Sequence, residues 1–252
     1  MKTELNFAQL TDCHLFADKN SCHYGANVYQ NLCKVLNQIK QIPALDFLLF
    51  TGDLTQDHSD KSYQHFVNAV SESELTLPVY WLAGNHDNIA TMTTYLSDAP
   101  FTSRKQITSA HWQVTLLNSK SDTPAGTVET TQLQQLMQTA QPNKFQLLVM
   151  HHHAVDVGYF IDKHGLTNQS EFWQCVNQIP TVKAIACGHV HNALIRYHPN
   201  SDYQVPVIAC PATSIQFKQQ NHSVESANLP AGFRHYQLFA NGELETTEHY
   251  IA

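Results

Sequence analysis

Five short apolar runs in this chain break off abruptly at aspartates, histidines and an asparagine, and that recurrence restricts the fold more than any other feature. "ELNFAQLTDCH" stops at Asp12 and His14, and "FLLFTGD" stops at Gly52 and Asp53. "LPVYWLAGNHD" ends at Asn85, His86 and Asp87, "FQLLVMHHH" at His151, His152 and His153, and "VKAIACGHVH" at His189 and His191. Short apolar runs bounded by glycine and polar residues read as buried strands. Repeated in this way, they predict an α/β sheet with polar side chains gathered at the carboxyl ends of its strands, where such sheets bind ligands.

Helical patterns lie between the runs. In "NVYQNLCKVLNQIK" the side chains of Val28, Leu32, Val35, Leu36 and Ile39 share one face. "SYQHFVNAV" repeats this with Tyr63, Phe66, Val67 and Val70, "TTQLQQLMQTA" with Leu133, Leu136 and Met137, and "SEFWQCVNQIP" with Phe172, Trp173, Val176 and Ile179. Strands alternating with helices imply βαβ units. After residue 200 only strands follow, "VPVIAC", "FRHYQLF" and "ELETTEHYI", the last two joined by the hairpin signal Asn241-Gly242. These late strands predict a second sheet packed on the first. No repeat, low-complexity segment or linker interrupts the 252 residues, so residues 1–252 are expected to form a single domain.

Composition excludes several classes of function. Apolar residues make up 42% and charged residues 14%, as in globular proteins. Formal net charge is −7 and lysines and arginines form no cluster, which argues against a nucleic-acid partner. No run reaches the length of a membrane span, so no membrane partner is expected, and "MKTELNFAQLTD" lacks the apolar core of a signal peptide. Six scattered cysteines without a C-x-x-C pair read as reduced thiols of a cytoplasmic protein.

The strand-end residues Asp12, His14, Asp53, Asn85, His86, His151, His189 and His191 offer carboxylate, amide oxygen and imidazole but no thiolate. That donor set suits manganese, iron, zinc or cobalt. Seven of these eight as ligands would be too many for one ion and suit two if a carboxylate is shared; ion pairs about 3.5–4 Å apart serve displacement at phosphorus. In Asp12-Cys13-His14 and His189-Val190-His191 the outer residues point the same way off an extended backbone, with Cys13 and Val190 turned into the protein. Gly52 and Gly84 remove a Cβ where the backbone turns tightly beside the ions. Each motif alone arises by chance, since Gly-Asn is ordinary turn chemistry. All of them in order, each at a strand end, are hard to obtain by accident.

D-x-H, G-D, G-N-H-D, H and G-H-x-H in this order resemble the calcineurin-like metallophosphoesterase superfamily over nearly the whole chain. More narrowly, "TGDLTQDHS", "YQHF", "LAGNHD", "HHH", "CGHVH" and "IQFK" resemble the bacterial class III 3′,5′-cyclic AMP phosphodiesterases. The resemblance implies a four-layer α/β/β/α sandwich with a dinuclear metal site at strand C-terminal ends. One ion would be held by Asp12, His14 and His191 and the other by Asn85, His151 and His189, with Asp53 bridging. Iron and manganese are the implied pair, with zinc or cobalt as alternatives. The partner would be a small cyclic nucleotide and the reaction hydrolysis of 3′,5′-cyclic AMP to 5′-AMP by a metal-bridging hydroxide. His86 would act as general acid, Asp87 would orient its ring, and Asn85, His86 and His152 would touch substrate. Within the triplet the resemblance maps the ligand to His151, puts His152 behind it or facing substrate, and leaves His153 a polar turn residue. Loop residues in "SIQFKQQNHS", with Lys218 the only cation there, are expected to close over the substrate. A monomer and a homodimer fit equally.

Blander readings apply elsewhere. Asp57 and His58 stand where they would cap a helix. His198, His222, His235 and His249 read as surface or packing residues, and Trp81 and Trp173 as core. The rival functions are the same chemistry on other phosphodiesters or nucleotide pyrophosphates, a nuclease, and a non-catalytic scaffold. Acidity opposes the nuclease, and the complete ligand set with His86 opposes the scaffold.

Overall fold

The computed structural model describes residues 3–200, 204–219 and 222–251. The chain begins with β1 (Thr3–Leu10), a small hairpin of β2 (Cys22–His23) and β3 (Ala26–Asn27), then α1 (Val28–Ile39) and β4 (Phe47–Phe50). Next come α2 (Asp60–Glu72), β5 (Val79–Trp81), α3 (Ile89–Tyr95), β6 (Phe101–Thr102), β7 (Gln106–Thr108) and β8 (Trp112–Leu116). The second half holds α4 (Thr130–Thr139), β9 (Phe145–Met150), a 3-10 helix (Phe160–His164), α5 (Gln169–Asn177) and β10 (Val182–Cys187). It closes with β11 (Leu194–Tyr197), β12 (Pro206–Ala209), β13 (Gly232–Phe239) and β14 (Leu244–Tyr250).

Two six-stranded sheets result, ordered β14-β13-β1-β4-β5-β6 and β11-β12-β10-β9-β8-β7. Strands β1, β4, β5 and β6 run parallel in the first sheet, and β8, β9, β10 and β12 run parallel in the second. The late strands therefore do not build the second sheet. Hairpin β13–β14 extends the first by pairing antiparallel to β1, while β12 joins the second beside β10. The second sheet's centre comes from β8, β9 and β10 instead.

Strands buried on both faces alternate between two cores. In β4, Phe47 and Leu49 pack between the sheets while Leu48 and Phe50 meet the helices. In β9, Leu147 and Val149 face the other sheet while Leu148 and Met150 face α4 and α5. Three apolar cores thus separate four layers, α/β/β/α. Helix α1 has the predicted face, with Val28, Leu32, Val35, Leu36 and Ile39 all buried. Met137, placed on the apolar face of α4 by its periodicity, is exposed. The side chain of Ser59, not Asp57 or His58, caps α2 by accepting the Ser62 N–H. Among the described residues no helix is long and apolar enough to cross a membrane.

Candidate metal centre

The parallel strands of both sheets end at one place. Asp12, His14, Asp53 and Asn85 follow β1, β4 and β5, while His151, His189 and His191 follow β9 and β10. Backbone bonds lock the loops together: Asp12 N–H donates to Gly52 O (2.9 Å), His14 N–H to Asp53 O (3.0 Å) and Gly188 N–H to His151 O (3.0 Å). The expected extended backbone at Asp12 and His14 is not what aims them. Asp12, His14, Asp53, His189 and His191 all adopt left-handed φ, between 48° and 64°. Each costs about 1–2 kcal/mol in a residue with a Cβ, so the surrounding bonds must hold it. Gly52 (φ 96°) and Gly84 do what their spacing implies: a Cβ on Gly52 would lie 2.3 Å from Gly84 N, and one on Gly84 2.1 Å from Asp53 Oδ1.

Each histidine of the ligand set spends one ring nitrogen outward and turns the other inward. His151 Nδ1 donates to Thr51 O (2.7 Å), His189 Nε2 to His164 O (3.0 Å) and His191 Nδ1 to Ile215 O (2.9 Å), while His14 Nδ1 faces Gln56 Oε1 (2.8 Å). Inward, His14 Nε2 and His191 Nε2 approach to 3.1 Å, with Asp12 Oδ1 3.2 Å from His191. Burial holds the His14 imidazole well below the usual histidine range, and Asp12 Oδ1 has no hydrogen-bond partner. Two imidazole nitrogens and a carboxylate oxygen thus crowd together away from water, a donor set that fits a metal ion.

The second group is similar. His151 Nε2 lies 3.1 Å from Asn85 Oδ1, 3.2 Å from His189 Nδ1 and 3.4 Å from Asp53 Oδ2. Burial pushes His151 down, but Asp53 and Asp12 outweigh it and raise it to about 9, giving it a proton that a bound cation would replace. Burial also works against the Asp53 carboxylate, yet His151, His14 and His86 hold it well below the carboxylate range. Asp53 reaches both groups, standing with Asp12 and His151 and also with His14 and His86. The clusters can therefore hold two ions.

His86 lies beside these groups and lines the cavity. Its N–H donates to Asp53 Oδ1 (2.8 Å), its carbonyl accepts from His58 Nδ1 (2.9 Å), and its ring meets that of His14 edge-on at 4.9 Å. Burial lowers its pKa. Asp87 does not orient that ring, because both carboxylate oxygens are taken by backbone: Oδ1 accepts Leu54 N–H and Oδ2 accepts Gly84 N–H, each at 2.9 Å. Burial and the Asp53 charge raise Asp87 to about 7. It ties the GNHD loop to the loop carrying Asp53.

The triplet keeps His151 at the cluster and His152 behind it, its ring 4.9 Å from that of His151 and 4.6 Å from that of His189, and departs from expectation at His153. His152 is fully buried, its Nδ1 beside Ser119 Oγ (2.8 Å) and its Nε2 donating to Pro124 O (3.1 Å), so it faces no substrate. His153 is no polar turn residue: it is fully buried, bonds Asp162 Oδ1 at 3.2 Å and packs on the His189 ring. Cys13 turns into the core as expected. Lys218 pairs with Glu225 at the surface (3.3 Å), and it is the adjacent Phe217 that enters the site, stacked on His191 at 3.9 Å.

A cavity of about 250 Å³ opens over the cluster, walled by His23, Tyr24, Phe160, Ile161, His164 and Phe217. Of these only Phe217 lies in a segment singled out from the sequence; the others come from the β2–β3 hairpin and the 3-10 helix, which carry no ligand motif. Gln56 was missed too, although it lies three residues after Asp53 in the quoted "TGDLTQ".

Residues 5–193 match the family model described as calcineurin-like phosphoesterase, and the chain belongs to that family. It is 49% identical to a probable cyclic nucleotide phosphodiesterase of Colwellia psychrerythraea over 96% of this chain and 93% of that one. It is 35% identical to the 3′,5′-cyclic adenosine monophosphate phosphodiesterase CpdA of Vibrio vulnificus, over 100% of this chain and 92% of that one. Among solved structures, a dimetal phosphatase from Danio rerio superposes with a TM-score of 0.69 at 10% identity, covering 100% of both chains, and so shares the fold.

Proposed function

We propose that this chain hydrolyses 3′,5′-cyclic AMP to 5′-AMP with two metal ions, one held by Asp12, His14 and His191, the other by Asn85, His151 and His189, and both by Asp53. The observation that carries the reading is the convergence of buried imidazole and carboxylate ligand atoms from two sheets beneath an open cavity. When bound, the ions supply Lewis-acid stabilisation of the phosphoryl charge and a nucleophile drawn from water at neutral pH. The thiolate-free donor set suits iron and manganese, with zinc or cobalt as substitutes. The names of the near-full-length relatives support the cyclic nucleotide as substrate.

The chain's own residues do the rest. His86 stands with Asp53 and His14 at the cavity floor, its backbone fixed from both sides; an anionic phosphate facing the ring opposes the burial that lowers its pKa, and its ring nitrogen gives a proton to the departing 3′-oxygen. Water adds as the P–O3′ bond breaks, leaving the phosphate on the 5′-oxygen. The rings of His23, Tyr24, Phe160 and Phe217 form the wall available to the nucleoside. All six cysteines are free thiols, four of them buried, a state that reducing compartments maintain, and on that ground the activity is assigned to the cytoplasm.

A substrate panel on metal-loaded protein tests this: cyclic AMP, cyclic GMP, 2′,3′-cyclic AMP, bis(p-nitrophenyl) phosphate and a phosphomonoester. Cyclic AMP should give the highest kcat/KM, with 5′-AMP and no 3′-AMP released. Preference for any other member would overturn the substrate, and 3′-AMP as product would overturn the role given to His86.

A further inference from the structure

The segment after the triplet forms one side of the cavity, and a single carboxylate organises it. Asp162, in the 3-10 helix, accepts Val157 N–H through Oδ1 (2.8 Å), and Gly158 N–H (2.8 Å) and Tyr159 N–H (3.3 Å) through Oδ2. These bonds curl residues 157–162 into a compact turn and present Phe160, Ile161 and His164 to the cavity. The turn is tied back by His153, whose Nε2 lies 3.2 Å from Asp162 Oδ1. His153 Nδ1 has no partner, so the ring meets Asp162 through Nε2 alone, whose N–H the carboxylate accepts. Burial works against the Asp162 carboxylate, but the bonds from His153, Val157 and Gly158 outweigh it and hold its pKa below the usual range.

The same ring touches the metal centre from behind. His153 stacks on His189 with centroids 5.6 Å apart and planes 24° from parallel. His189 in turn donates Nε2–H to the carbonyl of His164, the last residue of the 3-10 helix. A closed circuit therefore runs from His189 through His153 and Asp162 to the cavity wall and back through His164. Further bonds fix its outer rim, from Leu166 N–H to His153 O (3.1 Å) and from Trp173 Nε1–H to Ala154 O (2.7 Å).

We infer that His153 and Asp162 form a positioning clamp that sets the substrate specificity of the cavity by holding the Phe160–His164 wall at a fixed distance from the metal ligands. His153 is not a ligand, and neither clamp residue touches the reacting atoms. The wall meets the part of the substrate beyond the phosphoryl group, so the clamp governs recognition of the nucleoside more than bond cleavage. The inference rests on the cyclic-nucleotide reading in that respect alone; the clamp itself rests on the bonds above.

The test compares His153→Ala, His153→Gln and the parent protein on cyclic AMP and on methyl p-nitrophenyl phosphate, a diester without a nucleoside. Bound metal and limited proteolysis between residues 155 and 165 are followed alongside. His153→Ala should keep two metals and nearly the parental kcat on the small diester while KM for cyclic AMP rises about tenfold, the worth of one hydrogen bond. Cleavage of the wall segment should quicken in His153→Ala. His153→Gln, which retains a donor near the Nε2 position, should recover most of both losses. A parallel fall in metal content and in both activities would overturn the clamp, as would an unchanged KM with an unchanged cleavage pattern. If the metal-loaded parent turned over neither substrate, the functional reading would fail, and the proteolysis comparison alone would decide the clamp.

Discussion

At the scale of single residues, position relative to backbone donors and acceptors decides the chemistry more than residue type does. Three consecutive histidines do three jobs: His151 turns a nitrogen to the metal centre, His152 binds Ser119 and Pro124, and His153 holds Asp162. Neighbouring His86 and Asp87 differ as sharply, one ring open to the cavity and one carboxylate consumed by two amides. Alanine at His86 should therefore leave both metals bound and lower kcat by about 10²–10⁴, the usual worth of a general acid. Metal analysis with steady-state kinetics checks this, and a loss of metal would instead make His86 a ligand. Asp53→Asn should do the reverse, because it keeps the shape of the side chain but removes the charge that His151 and His14 face. It should lose metal first and activity with it.

Elements were legible to the extent that their signals are local. Periodicity gives the buried face of α1 residue for residue because it repeats along a contiguous stretch, and the apolar runs mark β1, β4, β5, β9 and β10 for the same reason. Sheet membership was not legible. A run buried on both faces reads alike in either sheet, and parallel partners such as β9 and β10 lie far apart in sequence. The residues of the clusters were legible, but their left-handed backbone was not: aspartate and histidine adopt it more often than most residues, yet too rarely for a sequence to mark where. The 3-10 wall escaped because "VDVGYFIDKHG" carries neither period. Crossing of elements also gives Gly84 its role. Its φ suits any residue, so only the contact with the Asp53 loop demands glycine there. Gly84→Ala should cost about 3 kcal/mol, the upper range of overpacking, and displace Asp53 enough to lower metal occupancy. Denaturant unfolding and metal analysis would show it, and a fully loaded, equally stable variant would disprove the contact's importance.

For the whole molecule the metal centre is also a joint between the sheets. The seam is apolar for most of its length, through Phe7, Leu49, Trp112 and Val149, and turns polar only at the end where the parallel strands finish. There Gln9 Nε2 donates to Thr51 Oγ1 (2.9 Å) and to Cys187 O (3.2 Å), so one side chain spans both sheets. His151, after β9, is anchored on Thr51 O, after β4, and His189 N–H, after β10, donates to Asp12 Oδ2 (3.0 Å), after β1. Ions held by both halves bind the folded chain and not the unfolded one, so each contributes about 2.7 kcal/mol when present at a hundred times its Kd. Two would contribute about 5 kcal/mol, and at about 2–4 °C per kcal/mol for a chain of this size their removal should lower Tm by roughly 10–20 °C. Thermal unfolding with and without a chelator measures this directly, and Asp53→Asn, already short of metal, should show little further shift. A chelated protein that kept its Tm while losing all activity would mean that the seam is closed by the apolar core and Gln9 alone, with the ions serving only the reaction.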